Sequence, residues 1–205
     1  MRVAVGLRLG LNICEPHTCP CGTNVDTRGL HGLACKRSAV RSTRHQQLND
    51  RIWRALKRAD IPSTKEPTGL LRGCGKRPDG LTLVPWQAGK CLTWNATVVD
   101  TLASSYVSVT ATRVGGAADA AAERKSLKYV SITNTHIFVP VAIETLGLIC
   151  SRGLSFLAKI SNHLATISGD TRETSFLFQN VSVLIQRFNQ IAFRGTFIDG
   201  NDTEG

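Results

Sequence analysis

Residues 76–101 contain two apolar runs separated by a four-residue connection, and this pattern constrains the fold more than any other in the chain. Residues 80–86 and 91–100 are rich in Val, Leu, Thr and Trp, and Gly89 lies in the connection between them. A glycine in so short a connection tolerates the positive φ of tight turns between strands. The stretch is therefore predicted to form a β-hairpin, which commits the middle of the chain to a sheet.

Folding of this hairpin brings an acidic residue close to a polar strand face. Asp79 precedes the first strand, so we expect it to lie near residues 95–98 of the second strand. Successive side chains of a strand point to opposite faces, which places Thr93, Asn95 and Thr97 together on one face. A carboxylate and an amide are therefore predicted to share a site.

This pair has two interpretations. Hard cations such as Mg²⁺ are held by one or two carboxylates and activate water against a phosphodiester, so Asp79 is a candidate metal ligand. Asn95 lies where an ideal site of this kind would have a second acid. The alternative is that residues 77–80 (Arg-Pro-Asp-Gly) form only a turn, in which Pro fixes φ, Asp bonds its own backbone and Gly supplies conformational freedom.

The composition favours a basic protein that binds an acidic polymer. The chain has 205 residues, 42% of them hydrophobic, which suffices for one ordinary domain with a small appended module. No run reaches the roughly 18 apolar residues of a membrane-spanning helix, and no signal peptide is recognisable, so we expect a soluble intracellular protein. The formal net charge of +10 and the pI near 9.7 favour nucleic acid as the partner.

The cysteines concentrate near the N-terminus. Seven cysteines are an odd number, and four of them fall in the first 35 residues, which favours metal ligation or buried thiols over a disulfide framework. Three thiolates and one imidazole are a usual tetrahedral Zn²⁺ set. The single residue between the first two ligands is fewer than usual, so Cys14 and His17 remain alternative ligands. The predicted zinc ligands are Cys19, Cys21, His31 and Cys35.

A cationic segment follows these cysteines. Apolar residues recur at steps of three and four, which predicts an amphipathic helix over residues 44–59 with a charged outer face. A solvated charged face is one explanation, but nine basic residues against two acids favour a phosphate backbone as the partner. His45 is open to three readings, as a cap, a metal ligand or a DNA contact. The predicted nucleic-acid contacts are Arg37, Arg41, Arg44, His45 and Arg51.

The remaining elements complete an α/β pattern. The order of helix, three strands, helix and strand predicts a sandwich with a central mixed sheet. The predicted elements besides the hairpin and the basic helix are an edge strand at 65–71, a loop at 104–116, a helix at 117–129, a buried strand at 135–143, helices at 154–166 and 174–193, and a frayed end at 195–205.

Taken in order, these elements resemble the C-terminal part of non-LTR retrotransposon polyproteins of the R2 type, over residues 14–147. That region has a Cys-Cys-His-Cys knuckle followed by a restriction-enzyme-like endonuclease. The matching elements after the knuckle residues are Arg44-His45, the Lys-Arg-Pro-Asp of 76–79, the Trp-Asn-Ala-Thr-Val of 94–98, and the Arg-Lys-Ser-Leu-Lys-Tyr of 124–129. No reverse transcriptase motif is present, so the chain resembles a detached fragment of such a polyprotein.

The resemblance implies a PD-(D/E)XK nuclease that nicks double-stranded DNA to prime reverse transcription. Asp79 would ligate Mg²⁺, and Lys125 or Lys128 would orient water or offset developing charge. The strand acid of the family falls on Asn95, which brings no negative charge, so cleavage is expected to be impaired. Glu66 is a candidate outside ligand.

The implied organisation is a zinc knuckle at 1–37, a restriction-endonuclease-like core at 38–150 and a C-terminal helical extension at 151–205. The resemblance also implies nuclear localisation, with double-stranded DNA as the partner and element RNA as an additional one. Two alternatives stay open. One is a zinc-containing DNA-binding module without catalysis, and the other is a decayed reading frame.

Overall fold

The computed structural model describes residues 2–70 and 77–197 and shows a mixed α/β protein built on a four-stranded mixed sheet. The strands are β1 (His17–Thr18), β2 (Asn24–Val25), β3 (Ser63–Lys65), β4 (Gly80–Thr82), β5 (Leu92–Val99) and β6 (Ile137–Glu144). The helices are α1 (Arg2–Leu9), α2 (His31–Ala34), α3 (Val40–Arg58), α4 (Ser104–Thr112), α5 (Gly116–Lys128), α6 (Ser151–Ser168) and α7 (Glu173–Arg194), with a short 3-10 helix at Val130–Asn134.

The sheet has the strand order β3-β4-β5-β6. Strand β4 pairs antiparallel with both β3 and β5, and Gly80 lies opposite Trp94. Strand β6 runs parallel to β5 over its full length, from Leu92 opposite Ile137 to Val99 opposite Glu144. A parallel pair needs a crossover connection, which α4, α5 and the 3-10 helix provide.

The predicted hairpin is present, but its first strand is shorter than predicted. The turn forms where expected, with positive φ at Ala88 and Gly89 and a hydrogen bond of 3.0 Å from the Lys90 N–H to the Gln87 carbonyl. Strand β4 ends at Thr82 instead of residue 86. The Thr82 hydroxyl accepts the Leu92 N–H at 2.9 Å, so a hydrogen bond to a side chain takes the place of a main-chain hydrogen bond between β4 and β5 here.

The two faces of the sheet carry different layers. One face packs against α3 and α6, which α7 covers in turn, and these elements form the main apolar core. Small side chains cover the other face, where Ala118, Ala121 and Ala122 of α5 pack against Ala142 of β6 and allow this helix to approach closely. The wholly buried residues of the main core include Leu48, Ile52, Leu56, Leu92, Trp94, Ile143, Leu157, Ile160 and Ile185.

Two predicted elements differ from the structure. The edge strand predicted at 65–71 is only Ser63–Lys65, because Glu66 adopts a φ of +49° that ends the strand; residue 71 lies outside the described residues. The loop predicted at 104–116 is largely the helix α4. Tyr106 of this helix is buried, and the Arg124 guanidinium of α5 lies 5.0 Å from the centre of its ring, so tertiary contacts outweigh the many Ser, Thr and Val residues.

The other predicted helices and the buried strand are confirmed, with ends that differ by a few residues. Most of the frayed end predicted at 195–205 falls after residue 197 and so lies outside the described residues. No helix in the described ranges is long and apolar enough to cross a membrane.

The N-terminal segment packs against the last helix. A Cβ at Gly32 of α2 would lie 2.9 Å from the Ala192 carbonyl oxygen of α7, so the two helices are in backbone contact here. The ring of His17 stacks on Phe197, with ring centroids 4.1 Å apart. These contacts hold the cysteine-containing segment on the C-terminal end of α7.

We predict that Gly80→Ala lowers the free energy of unfolding by about 1–3 kcal/mol, because the added methyl would overlap the wholly buried Trp94 ring. Gly195→Ala is the matched control, since Gly195 has φ of −68° and its Cβ would meet the nearest atom at 3.5 Å. Urea denaturation of both variants measures the difference. Equal stability of the two variants would contradict the close packing of Trp94 on β4.

Candidate metal cluster and sheet-edge site

The four predicted zinc ligands come together. The donor atoms of Cys19, Cys21, His31 and Cys35 all lie within 4.8 Å of one another. The Cys21 sulfur is 3.2 Å from Nε2 of His31, and the Cys19 and Cys35 sulfurs are 3.9 Å apart. Ligands at about 2.0–2.3 Å from one tetrahedral ion have separations of this size. The cluster could therefore hold a metal ion such as zinc.

Two short elements position these ligands. Cys19 and Cys21 lie in the turn between β1 and β2, where Gly22 has φ of +87° and donates its N–H to the Cys19 carbonyl at 2.7 Å. His31 begins α2 and Cys35 directly follows this helix, four residues later. Residues four apart lie on one side of a helical turn, so both point toward the β1–β2 turn.

The thiols have different acidities. Hydrogen bonds with the side chain and backbone of Thr23 lower the pKa of Cys21 to about 6, so this thiol is largely ionised at neutral pH. Burial raises the pKa of Cys19 above its ordinary value. Only the thiolate form of cysteine binds a metal ion, so Cys21 is the ligand most ready to bind first.

The two alternative ligands lie outside the cluster. The Cys14 sulfur donates to the backbone carbonyls of Asp26 and Thr27, at 3.3 and 3.6 Å. The His17 ring nitrogen Nε2 is hydrogen-bonded to the Thr196 hydroxyl at 2.9 Å. The candidate ligands are therefore the three cysteines and one histidine that were predicted, and neither Cys14 nor His17 replaces any of them.

We predict that the purified protein contains about one equivalent of zinc and that Cys35→Ser loses it, because three ligands bind zinc far more weakly than four. Cys14→Ser should retain the metal, since Cys14 lies outside the cluster. Atomic emission spectroscopy measures the metal content. An unchanged zinc content in Cys35→Ser would contradict the assignment of the cluster.

A second group of polar residues surrounds Asp79, which lies immediately before β4. The Asp79 N–H donates to the Trp94 carbonyl at 2.9 Å, and its own carbonyl accepts the Glu66 N–H and the Asn49 side-chain amide, both at 3.0 Å. Gly80 pairs with Trp94, and the Asp79 N–H reaches the same Trp94 carbonyl, so Asp79 lies beside the part of β5 that contains Asn95. The main chain of Asp79 is therefore fixed from both neighbouring strands and from α3.

The carboxylate of Asp79 connects strand β5 to helix α3. Its Oδ2 accepts the Ala96 N–H at 2.6 Å and lies 3.0 Å from Nε2 of His45. Within the described part of the chain, Oδ1 receives no hydrogen bond. The side chain is 12% exposed, whereas that of His45 is 41% exposed. The carboxylate is thus held by one oxygen and presents the other at the border between core and solvent.

Asn95 is buried beside this position, at 3% exposure, and its side-chain oxygen has no hydrogen-bond partner among the described residues. A buried carbonyl oxygen without a partner costs about 1–3 kcal/mol. Such groups in native proteins usually mark a bound water, an ion or a functional site. The unpartnered oxygen is therefore a candidate ligand atom on the strand that Asp79 contacts.

Helix α5 brings Lys125 into the electrostatic range of this site. Burial and the nearby Lys128 lower the pKa of Lys125, while attraction by Asp79 opposes this change. Lys128 is exposed, and its ammonium lies 5.4 Å from the centre of the Tyr129 ring. Of the two candidate lysines, we select Lys125 as the candidate partner of Asp79, because it is the more buried.

A buried acid fixes the start of α5. Glu144, at the end of β6, is wholly buried, and its Oε1 accepts the N–H groups of Ala117 and Ala118 at 3.1 Å each. A negative charge at a helix N-terminus is favourable. Glu144 thereby anchors α5 to the sheet and fixes the helix that carries Lys125.

The predicted nucleic-acid contacts fall into different environments. Arg37 and Arg41 are exposed, Arg51 is partly exposed, and Arg37 donates to the Pro20 carbonyl at 2.9 Å. Arg44 is only 4% exposed and donates to Asn189 of α7, so the prediction that it lies on the outer charged face is wrong. The apolar stripe of α3 is wide enough to include Arg44, and its guanidinium binds inside the protein.

The position of His45 was not identified from the sequence. His45 and Asn49 are four residues apart and lie on the same face of α3, where both bind Asp79, one through the carboxylate and the other through the carbonyl. In the sequence, the only indication of this arrangement is that a His and an Asn lie four residues apart beside the apolar stripe of the predicted helix. Only the tertiary structure identifies Asp79 as their shared partner.

Comparison with known protein families and with curated proteins finds no matching family model and no matching protein. The chemistry of the two groups of residues is therefore the basis for interpreting the function. One is a thiolate-rich cluster that suits a borderline-soft metal ion, and the other is an oxygen-rich group beside a lysine ammonium.

We predict that the His45–Asp79 contact stabilises the protein mainly at acidic pH. The hydrogen bond with Asp79 raises the pKa of His45, against the effect of burial, so the folded state binds this proton more tightly than the unfolded state does. The stabilisation is complete below the ordinary histidine pKa of about 6.5 and disappears as the pH rises through the raised value.

His45→Gln should therefore reduce the free energy of unfolding more at about pH 5.5 than at about pH 8.5. The same substitution in an Asp79→Asn background should show a smaller dependence on pH, because the partner charge is gone. Urea denaturation at the two pH values measures all four proteins. An equal loss at both pH values in the Asp79 background would contradict the role of this contact.

Proposed function

We propose that the chain is a DNA-binding protein derived from the endonuclease region of an R2-type non-LTR retrotransposon. In this proposal the restriction-endonuclease-like core comprises α3, the four-stranded sheet and α5, and the cysteine cluster is a structural zinc knuckle. Metal-dependent nicking of double-stranded DNA is the activity of this core, and Asn95 weakens it. The proposed location is the nucleus.

One observation carries the proposal. Asp79 is hydrogen-bonded to Trp94 and Ala96, the residues on either side of Asn95, whose buried oxygen has no partner among the described residues. Lys125 lies within electrostatic range of Asp79. A carboxylate, a second oxygen ligand and a nearby ammonium are the groups that metal-dependent phosphodiester cleavage requires. They come from β4, β5 and α5, which are the elements that the family resemblance predicts.

Each residue has a distinct task in this proposal. Oδ1 of Asp79 and the side-chain oxygen of Asn95 would hold Mg²⁺, which supplies a Lewis acid and a more acidic water molecule. Lys125, whose pKa is lowered by burial, would stabilise negative charge that develops on the phosphate. His45 would orient Asp79 through its hydrogen bond to Oδ2, which leaves the other oxygen directed away from α3.

Weak cleavage follows from charge. An amide oxygen can coordinate Mg²⁺, but it brings no negative charge, so the site offers one carboxylate where Mg²⁺ commonly has one or two together with substrate phosphates. With only Asp79 charged, occupancy by the metal depends more on the phosphate of the DNA itself.

The DNA-binding surface of this proposal is the basic side of α3 together with the knuckle. Arg41 lies one helical turn before His45 on the same side of the helix, which places its positive charge next to the Asp79 site. The hydrogen bond from Arg37 to Pro20 ties the segment before α3 to the cysteine turn. A phosphate backbone that follows Arg37 and Arg41 would reach Asp79.

We predict that the protein nicks supercoiled plasmid slowly with Mg²⁺ or Mn²⁺ and that Asn95→Asp raises the rate by about tenfold or more, because a second carboxylate increases metal affinity. Asp79→Asn should abolish nicking in both backgrounds. Lys125→Gln should reduce the rate of Asn95→Asp by about 100-fold, whereas the matched control Lys128→Gln should change it little. Gel electrophoresis of the nicked form measures each rate.

An unchanged rate in Asn95→Asp would remove Asn95 from the site. Equal effects of the two lysine substitutions would contradict the selection of Lys125 over Lys128. If neither the protein nor Asn95→Asp nicks DNA but both bind it with a steep salt dependence, the nuclease proposal fails.

A second candidate function is a zinc-containing DNA-binding module without catalysis. The contact between His45 and Asp79 favours this second function. It occupies one oxygen of the Asp79 carboxylate with a hydrogen bond inside the protein, so that oxygen is not free to bind a metal ion. The cysteine cluster and the exposed arginines are sufficient for this function. Binding of DNA without nicking in every variant distinguishes it from the nuclease.

A further inference from the structure

Trp86 lies between two adjoining cavities on the side of the protein where α6 covers the sheet. It follows β4 in the chain, and its ring contacts Phe156 edge to face, with centroids 5.5 Å apart. One cavity has a volume of about 540 Å³ and the other of about 360 Å³, and atoms of Trp86 line both. The indole is thus anchored on the core while two parts of it remain accessible.

The polar groups around Trp86 are cationic or neutral. Lys159 lines both cavities, Arg152 lines one, and His163 lines the other, with a ring centroid 6.5 Å from that of Trp86. Arg152 is held in place by a hydrogen bond of 2.6 Å to the Ser126 hydroxyl. Among the described residues that line the two cavities, none is Asp or Glu.

The cavity walls also present apolar surface for a flat ligand. Val84 and Pro85 precede Trp86 and line the larger cavity, while Phe138 and Val139 line the smaller one. Val84 is 39% exposed, although it lies beside a Trp ring. A partner of this surface must therefore combine planar apolar groups with negative charge at short spacing.

From these features we propose that this surface binds single-stranded DNA, with an unpaired base stacked on Trp86 and the flanking phosphates paired with Lys159 and Arg152. Proteins bind single strands through aromatic side chains beside basic groups, because every base has a flat face and every linkage carries a charge. The choice of DNA over RNA rests on the proposed function, in which nicking exposes a free DNA strand.

An acidic peptide is the competing partner, because it would also pair with the two basic residues. A peptide of Asp and Glu residues offers negative charge without the flat rings that stack on an indole. Single-stranded DNA therefore satisfies both the charge and the shape of the surface.

Fluorescence anisotropy of a labelled oligothymidylate of about twelve nucleotides tests this proposal, with no divalent metal ion added so that nicking plays no part. Trp86→Leu should weaken binding at least about fivefold, because it keeps apolar volume but removes the stacking surface. Phe178→Leu is the matched control, since Phe178 is also partly buried against the main core but lies on α7 and lines neither cavity. That variant should bind like the unaltered protein.

A second pair of variants separates local from general electrostatics. Each variant removes one positive charge, but Lys159→Gln should weaken binding more than Lys57→Gln. Lys159 lines both cavities, whereas Lys57 lies on α3 beside Trp53 and lines neither. Equal losses in the two lysine variants, or unchanged binding in Trp86→Leu, would overturn the proposal.

Two competitors test the identity of the partner. Oligouridylate that competes better than oligothymidylate would overturn the assignment to DNA, and oligoglutamate that competes better than either would assign the surface to acidic peptides. Plasmid nicking by Trp86→Leu in the Asn95→Asp background tests the Asp79 site separately. Loss of single-strand binding with retained nicking supports both proposals. Unchanged binding with retained nicking overturns only the proposal for Trp86, and weakened binding without nicking in the Asn95→Asp background overturns only the nuclease proposal.

Discussion

The contact between Trp94 and α3 joins the core of this protein to its candidate site. The indole is wholly buried, packs over Gly80 and donates its N–H to Asn49 at 2.8 Å. Asn49 in turn donates to the Asp79 carbonyl, so one side chain ties the strand pairing of β4 and β5 to the helix that carries His45. The position of Asp79 is consequently fixed by the same packing that stabilises the sheet.

The two groups of candidate site residues depend on different kinds of structure. The cysteine cluster forms from a turn and a short helix that are close in sequence. Helix α7 contacts this segment but contributes no residue to the cluster. The Asp79 group takes residues from α3, β4, β5 and α5, which are far apart in the chain. Loss of metal from the cluster should therefore act locally, whereas any shift of the sheet alters the Asp79 group directly.

The parts of the structure that follow from local pattern were predicted correctly. The cysteine spacing predicted the cluster, the four-residue connection predicted the hairpin turn, and the apolar run at 135–143 predicted the buried strand β6. The helix α4 was missed, because its composition favours a loop and only the burial of Tyr106 stabilises it. Arg44 was misplaced, since a charged residue within an apolar stripe gives no sign of a buried partner such as Asn189.

The sequence by itself determined which residues can meet when they lie on adjacent segments, as in the cysteine cluster and the pairing of Asp79 with the strand that contains Asn95. Turn geometry and the period of a strand are local properties, and a few residues encode them. The tertiary structure alone decided that His45 contacts Asp79, that Lys125 lies within electrostatic range of Asp79, and that Trp86 lines two cavities with basic residues in their walls. These results depend on how helices pack across the sheet, and that packing is set by the whole core at once.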